Sequence, residues 1–147
     1  MTFHNLKTYQ VALLQAKAHR AVQHYTAEFL KPYGLTAMEW TLLGYIADKS
    51  NGGVKATDIA EAFSVDASLM TNTINKLVMQ ELVVRAPHPD DQRIRMIKLT
   101  DKGADLVSEI ESSLEPSMLG QWLSGLSPAL LGSYVKVLKH IIDNRPS

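Results

Sequence analysis

Residues 65–103 read VDASLMTNTINKLVMQELVVRAPHPDDQRIRMIKLTDKG, and this stretch decides the fold. Val65-Asp66 is a tight connection, with Asp66 placed to cap a helix over about 67–80. Met70, Ile74 and Leu77 recur at the spacing of an apolar helix face. The opposite face carries Ser68, Thr71, Asn72, Asn75 and Lys76 and no acid, whereas a merely solvated face mixes Glu with Lys. Two β-rich runs follow, Leu82–Arg85 and Arg95–Leu99. The link between them, Ala86–Arg93, contains Pro87 and Pro89, which cannot donate to a ladder, so it is predicted as loop or sheet edge. Strand, polar loop and strand after a polar-faced helix make a wing.

Upstream, Leu6, Tyr9, Leu13 and then Val22, Tyr25, Phe29 predict one long helix over 4–31, ended by Pro32 and Gly34. Thr36-Ala-Met-Glu39 is a capping box opening a helix over about 37–48, with Trp40, Leu43 and Ala47 along one face. Ser50-Asn-Gly-Gly53 breaks the chain, and a short helix over 56–63 turns Ile59, Ala60 and Phe63 inward. Downstream, Thr100 begins a helix over about 101–123, with Leu106, Ile110 and Leu114 in step and a kink expected at Pro116. After the break at Gly125–Pro128, Ser127 caps and Pro128 starts a final helix striped by Leu131, Tyr134, Leu138 and Ile141.

The predicted order is α-α-α-α-β-β-α-α: mainly α with a small β-wing, a winged helix-turn-helix head plus long terminal helices. The reading is a single domain over 1–147 with its head at 36–100 and its wing-bearing part near 54–99. Residues 1–35 and 101–147 are assigned to dimerisation, because amphipathic helices from both ends of the chain need an apolar surface beyond the head, and a second copy supplies one.

Composition limits the function classes. The chain has 147 residues, 46% of them hydrophobic, and no cysteine, which excludes disulfides, thiolate metal sites and a thiol redox switch. No segment approaches the roughly 20 apolar residues of a membrane span, and the start does not read as a secretory signal, so a cytoplasmic location is expected. Fifteen basic residues balance fifteen acidic ones, which argues against a strongly basic nucleic-acid binder. The charge is uneven, however. Residues 1–35 carry Lys7, Lys17, Arg20 and Lys31 against Glu28, and residues 82–99 carry Arg85, Arg93, Arg95 and Lys98 against Asp90 and Asp91. No nucleophile elbow, glycine-rich phosphate loop or metal-ligand cluster is present, so no enzyme is expected. The five histidines are His4, His19, His24, His88 and His140. His19 and His24 stand about 140° apart around a helix, which is poor for shared metal binding. No metal and no cofactor are expected.

The run Leu77-Val-Met-Gln-Glu-Leu-Val-Val-Arg85, then Pro89-Asp-Asp-Gln-Arg93, then Leu99-Thr-Asp-Lys-Gly103 resembles the signature of the MarR family of bacterial regulators. Its core is an acid, any residue and arginine, here Asp91-Gln-Arg93, followed by Leu-Thr-x-x-Gly. The resemblance implies a ligand-responsive repressor, a homodimer on double-stranded DNA carrying a pseudo-palindromic operator, released by a small anionic or phenolic effector. Two residues depart from the family pattern: Glu81 stands where glycine is usual after the recognition helix, and Asn72 where a second basic residue is usual.

On that reading Arg93 enters a minor groove, where arginine is drawn to the potential of narrow A·T-rich stretches, and Asp91 orients it. The alternative for Arg93 is a solvated loop arginine. Ser68, Thr71, Asn72, Asn75 and Lys76 form the candidate major-groove set, against an ordinary polar helix face. Arg85 and Arg95 are candidates for backbone phosphate, against solvated strand positions. Tyr33, Met38 and Trp40 either line an effector pocket or pack in the core, with core packing favoured. The competing function is a winged-helix protein-interaction module without operator binding, which the neutral charge and Asn72 leave open.

Overall fold

The computed structural model describes residues 2–3, 5–49, 52–114 and 117–146. They form two compact units, Thr26–Ser112 and Met1–Tyr25 with Ser113–Ser147.

The first unit is the head. α2 (Ala37–Ala47) opens on the predicted capping box, with Glu39 N donating to Thr36 Oγ1 at 3.1 Å and Thr36 N donating to Glu39 Oε2 at 3.4 Å. Its buried stripe is Glu39, Leu42, Leu43 and Ile46, which corrects the expected Trp40–Leu43–Ala47 face. Ala47 is exposed, and Trp40 is half-buried, edge-on to Phe29 with 5.8 Å between ring centroids. The i, i+3, i+4, i+7 series starts one residue earlier than predicted, a rotation of about 100°. α3 (Ala56–Phe63) and α4 (Ala67–Met79) follow, joined through Ser64 in the left-handed region at φ 53°. Ile59 is fully buried, while Ala60 and Phe63 are half-buried against the core.

β3 (Val54–Lys55), β4 (Val83–Pro87) and β5 (Arg95–Leu99) make an antiparallel sheet in the order β3-β5-β4. The register sets Val54 and Arg85 on either side of Ile97. β3 is not anticipated by the sequence, because two residues carry no alternation to read. β4 begins at Val83 rather than Leu82 and runs through Pro87. It is an edge strand, where a missing N–H leaves no ladder bond unmade. α5 (Asp101–Leu114) closes the head with Ile110 fully buried. Leu30, Leu42, Leu43, Ile59, Met70, Leu77 and Ile97 complete the center of the core, all at most 1% exposed. Each such burial stabilises by about 1.5–3 kcal/mol.

The second unit begins with β1 (Thr2–Phe3) and β2 (Leu6–Lys7), an antiparallel pair with Phe3 opposite Leu6. α1 (Thr8–Leu30) therefore starts later than the predicted residue 4, and Leu6 is in a strand. The local reason is Asn5 in the left-handed region at φ 66°, followed by Lys7 N donating to Gln10 Oε1 at 2.8 Å, which caps the first turn. α1 runs on into a 3₁₀ turn over Lys31–Tyr33, ended by Gly34 at φ 67°, as Pro32 and Gly34 predict. The helix expected over 101–123 is two helices, α5 and α6 (Met118–Ser124). Pro116, where the kink was placed, lies outside the described residues, as do His4, Ser50 and Asn51. α7 (Pro128–Asp143) is capped by Ser127, whose Oγ accepts from Leu130 N at 3.1 Å. In this unit Tyr9, Leu13, Leu14, Leu130, Val137, Ile141 and Ile142 are each more than half exposed. Among the described residues no helix is long and apolar enough to cross a membrane.

Candidate nucleic-acid interface

α4 is held by its cap and its inner face. Asp66 Oδ1 accepts from Leu69 N at 3.0 Å, as predicted. Met70, Thr73, Ile74 and Leu77 are buried, which leaves Ser68, Thr71, Asn72, Asn75 and Lys76 exposed on the outer side. These five do not have the same surroundings. Among the described residues the side chains of Ser68, Thr71 and Asn72 form no hydrogen bond within the chain. Asn75 Oδ1 accepts from Arg85 Nη2 on β4. Lys76 Nζ lies 2.7 Å from Oε1 of Glu39 on α2. The sequence therefore groups the five on one face, and the neighbouring elements divide them into a free set and a tethered set.

Glu81 does take the conformation for which glycine is usual. Its φ is 61°, Glu81 N donates to Val78 O at 2.9 Å, and Leu82 N donates to Leu77 O at 3.0 Å. This is the two-bond reverse turn of a Schellman end, with buried Leu77 and Leu82 as its apolar pair. A side chain in that region costs roughly 1–2 kcal/mol. The Leu99-Thr100-x-x-Gly103 run holds the turn in place. Thr100 Oγ1 donates to Glu81 O at 2.6 Å, Thr100 N donates to Leu82 O at 3.1 Å, and Lys102 Nζ donates to Gln80 O at 3.0 Å. Thr100 Oγ1 also accepts from Gly103 N at 3.0 Å, capping α5. A Cβ on Gly103 would stand 2.1 Å from Leu82 O, so only glycine permits this approach. The motif thus fastens the end of α4 to the start of α5.

At the wing tip Asp91 organises both backbone and side chain. Its Oδ1 accepts from Arg93 N and Arg93 Nε, each at 3.0 Å, and its Oδ2 accepts from Arg93 Nη2 at 3.0 Å. The first bond closes an Asx turn, and the other two are a bidentate guanidinium pair. Ile94 N donates to Asp91 O at 3.1 Å, His88 N donates to Ile94 O at 2.9 Å, and Asp90 N donates to His88 Nδ1 at 3.1 Å. The hydrogen bonds from Arg93 hold the Asp91 carboxyl below its ordinary value, and the Asp91 carboxylate raises Arg93. A lowered carboxylate contributes above its ordinary pKa and is lost only as pH falls through the lowered one, so the pair persists across the neutral range. The Arg93 side chain is nevertheless 91% exposed: its direction is set while its outer face is available. Arg95 is exposed, with no side-chain hydrogen bond among the described residues.

Tyr33, Met38 and Trp40 are half-buried and packed against the core, in line with the packing reading. Trp40 also lines an open cleft of about 480 Å³ within the head, together with Tyr45, Phe63, Val107 and Glu111. Among the described residues no group of three or more His, Asp or Glu is placed to hold a metal ion.

The residue that sequence reasoning read only as a cap is Glu39. It is 2% exposed, a buried acid beneath α4. The signal was present: Glu39, Leu42, Leu43 and Ile46 are spaced as one buried stripe, which places the acid on the inward face.

Known proteins agree with this architecture. A MarR family model matches residues 33–94. The HTH-type transcriptional regulator BilQ of Clostridioides difficile is 28% identical over 112 residues, covering 76% of this chain and 74% of that protein. CouR from Rhodococcus jostii, solved bound to p-coumaroyl-CoA, superposes with a TM-score of 0.82 at 20% identity over 93% of this chain and 94% of its own. A MarR variant from E. coli, solved with operator DNA, superposes with a TM-score of 0.76 at 24% identity over 90% and 93% of the two chains.

Proposed function

A MarR family model matches residues 33–94, and on that premise we propose that the protein is a MarR-family, sequence-specific DNA-binding transcriptional regulator, a ligand-responsive repressor acting as a cytoplasmic homodimer on a pseudo-palindromic operator. One observation carries this reading. Ser68, Thr71 and Asn72 are exposed on an acid-free helix face without side-chain partners among the described residues, and the wing beside that helix ends in an arginine already aimed by Asp91. Hydroxyls and an amide suit base edges in the major groove, and Asn pairs bidentately with adenine. Arg93 enters the flanking minor groove, and Arg85 and Arg95 lie along backbone phosphate. Asp91 does not touch DNA, because a carboxylate beside phosphates is repelled.

The neutral net charge makes one head a weak binder, so affinity rests on two heads per operator. The more than half-exposed Tyr9, Leu13, Val137 and Ile141 supply the apolar surface for a second copy. The half-sites then lie about one helical turn, ~10 bp, apart. The effector is a small anionic or phenolic compound whose binding changes the separation of the heads, and the Trp40–Tyr45–Phe63 cleft, with Asp48 and Glu111 in its lining, suits the phenolic kind.

Selection of bound fragments from random duplex DNA tests the reading. The expected product is an inverted repeat, bound more weakly as salt rises. Recovery of no preferred sequence, with no salt-dependent binding, would leave a protein-interaction module. Sedimentation at micromolar concentration is expected to give twice the 16.3 kDa chain mass, and a clean monomer there would sink the two-headed mechanism.

A further inference from the structure

Glu39 uses both of its oxygens. Oε2 accepts from Thr36 N, which closes the cap of α2, and Oε1 meets Lys76 Nζ at 2.7 Å. The Glu39 side chain is 3% exposed and that of Lys76 is 54% exposed. A carboxylate so buried is costly to leave without a counter-charge. Lys76 therefore cannot leave to meet a phosphate without stranding Glu39. Both charges also sit at favourable helix ends, the acid in the first turn of α2 and the base in the last turn of α4.

Resting on the DNA-binding reading above, we propose that Glu39 is a positioning residue for the recognition helix and that it withholds Lys76 from DNA: the lysine is the tether of α4 to α2, not a phosphate ligand. The pair fixes the rotation of α4 about its axis, and with it the direction in which Ser68, Thr71 and Asn72 point. Its net charge is zero, so it neutralises no phosphate and releases no counterion when the head docks. The acid-free outer face is in this respect less basic than its sequence.

Four proteins test this: wild type, Glu39→Gln, Lys76→Met and the double variant. Glutamine at 39 keeps an amide oxygen for Thr36 N and removes the charge. The readout is the slope of log affinity against log salt on one operator. Wild type and the double variant are expected to share a slope, because neither offers DNA a charge at position 76. Glu39→Gln alone frees the lysine and is expected to steepen the slope by about 0.9 per head, about 1.8 per dimer. A double variant shallower than wild type by that amount would make Lys76 a phosphate contact and overturn the proposal. The same proteins unfolded in urea supply a readout independent of DNA. Coupling between the two sites of about a hundredfold in the unfolding constant is expected, and a Lys76→Met protein that fails to fold while the double variant folds is the same result. Additive effects would overturn the tether whatever the DNA result. A wild-type protein that binds no duplex at any salt would sink the regulator reading, and the tether would then be decided by the urea cycle alone.

Discussion

The first two turns of the outer face of α4 and its last turn are made of similar residues and have different surroundings. Ser68, Thr71 and Asn72 reach outward with no side-chain partner among the described residues, whereas Asn75 is bonded to Arg85 on β4 and Lys76 to Glu39 on α2. The wing repeats the second arrangement, with Arg93 pinned by Asp91 yet exposed. On the proposed function, what separates a reading residue from a positioning one is not its place on the helical wheel but whether a neighbouring element already occupies it. Tethering one end of the face makes the free end rigid in direction, and a preset direction reduces the ordering needed on docking.

The largest expected effect tests this difference at its tethered end. Lys76→Met should destabilise the fold by about 3 kcal/mol, the low end for a broken buried pair because the ammonium is itself half-exposed. Ser68→Ala, on the free end, should stay within about 0.5 kcal/mol. Urea denaturation of the two variants measures both, and equal losses would erase the distinction.

Base preference sharpens the comparison from the other side. Asn72→Ala should change discrimination among half-site bases by roughly 1–3 kcal/mol, because its whole amide is available for a bidentate contact. Asn75→Ala should change it by less than half as much, since Arg85 occupies Oδ1 and leaves only the amide N–H groups to read with. Competition among operators differing at single positions decides this; a larger effect at Asn75 would mean that the Arg85 bond opens on DNA.

Arg93→Ala should weaken binding about equally at operators that differ only in the half-site core, and flatten the salt slope by about 0.9 per head. Asp91→Ala should act in the same direction and less, because it frees the arginine without removing it. Since the Asp91 carboxyl is held below its ordinary value, the Asp91–Arg93 pair itself should add no pH dependence between pH 6 and pH 8. Anisotropy titrations at two salt concentrations and these two pH values give all of these quantities, and an Arg93→Ala protein with the wild-type slope removes the wing from the mechanism.

The smallest effect concerns the turn that ends the tethered half. Glu81→Gly should stabilise by at most about 1 kcal/mol, because relief of the left-handed side chain is partly offset by the extra freedom of glycine in the unfolded chain. Operator affinity should be unchanged. A measured loss of stability in urea would mean that the Glu81 side chain contributes a contact larger than its strain.

The amino-acid sequence by itself determined the elements whose signals are local. Asp66, Thr36 with Glu39, and Ser127 with Pro128 mark helix starts because capping needs only residues three apart. The period of Met70, Ile74 and Leu77 separated the inner from the outer face of α4, and the acid and arginine two apart at the wing tip are near enough to pair within one turn. Tertiary structure alone decided the rest. β3 is two residues long and exists only because β5 offers it a partner, Ile97 opposite Val54 and Met96 opposite Lys55. The start of α1 shifted because the turn at Asn5 lets Phe3 pair with Leu6. Lys76 looked like one more cation on a DNA-facing helix until α2 brought a buried carboxylate to 2.7 Å from it, and Asn75 looked as free as Asn72 until β4 laid Arg85 alongside. The physical reason is common to all of these: caps and periodicities are fixed by bonds within a turn, while the partner of a long polar side chain is fixed by whichever distant segment the core packs beside it.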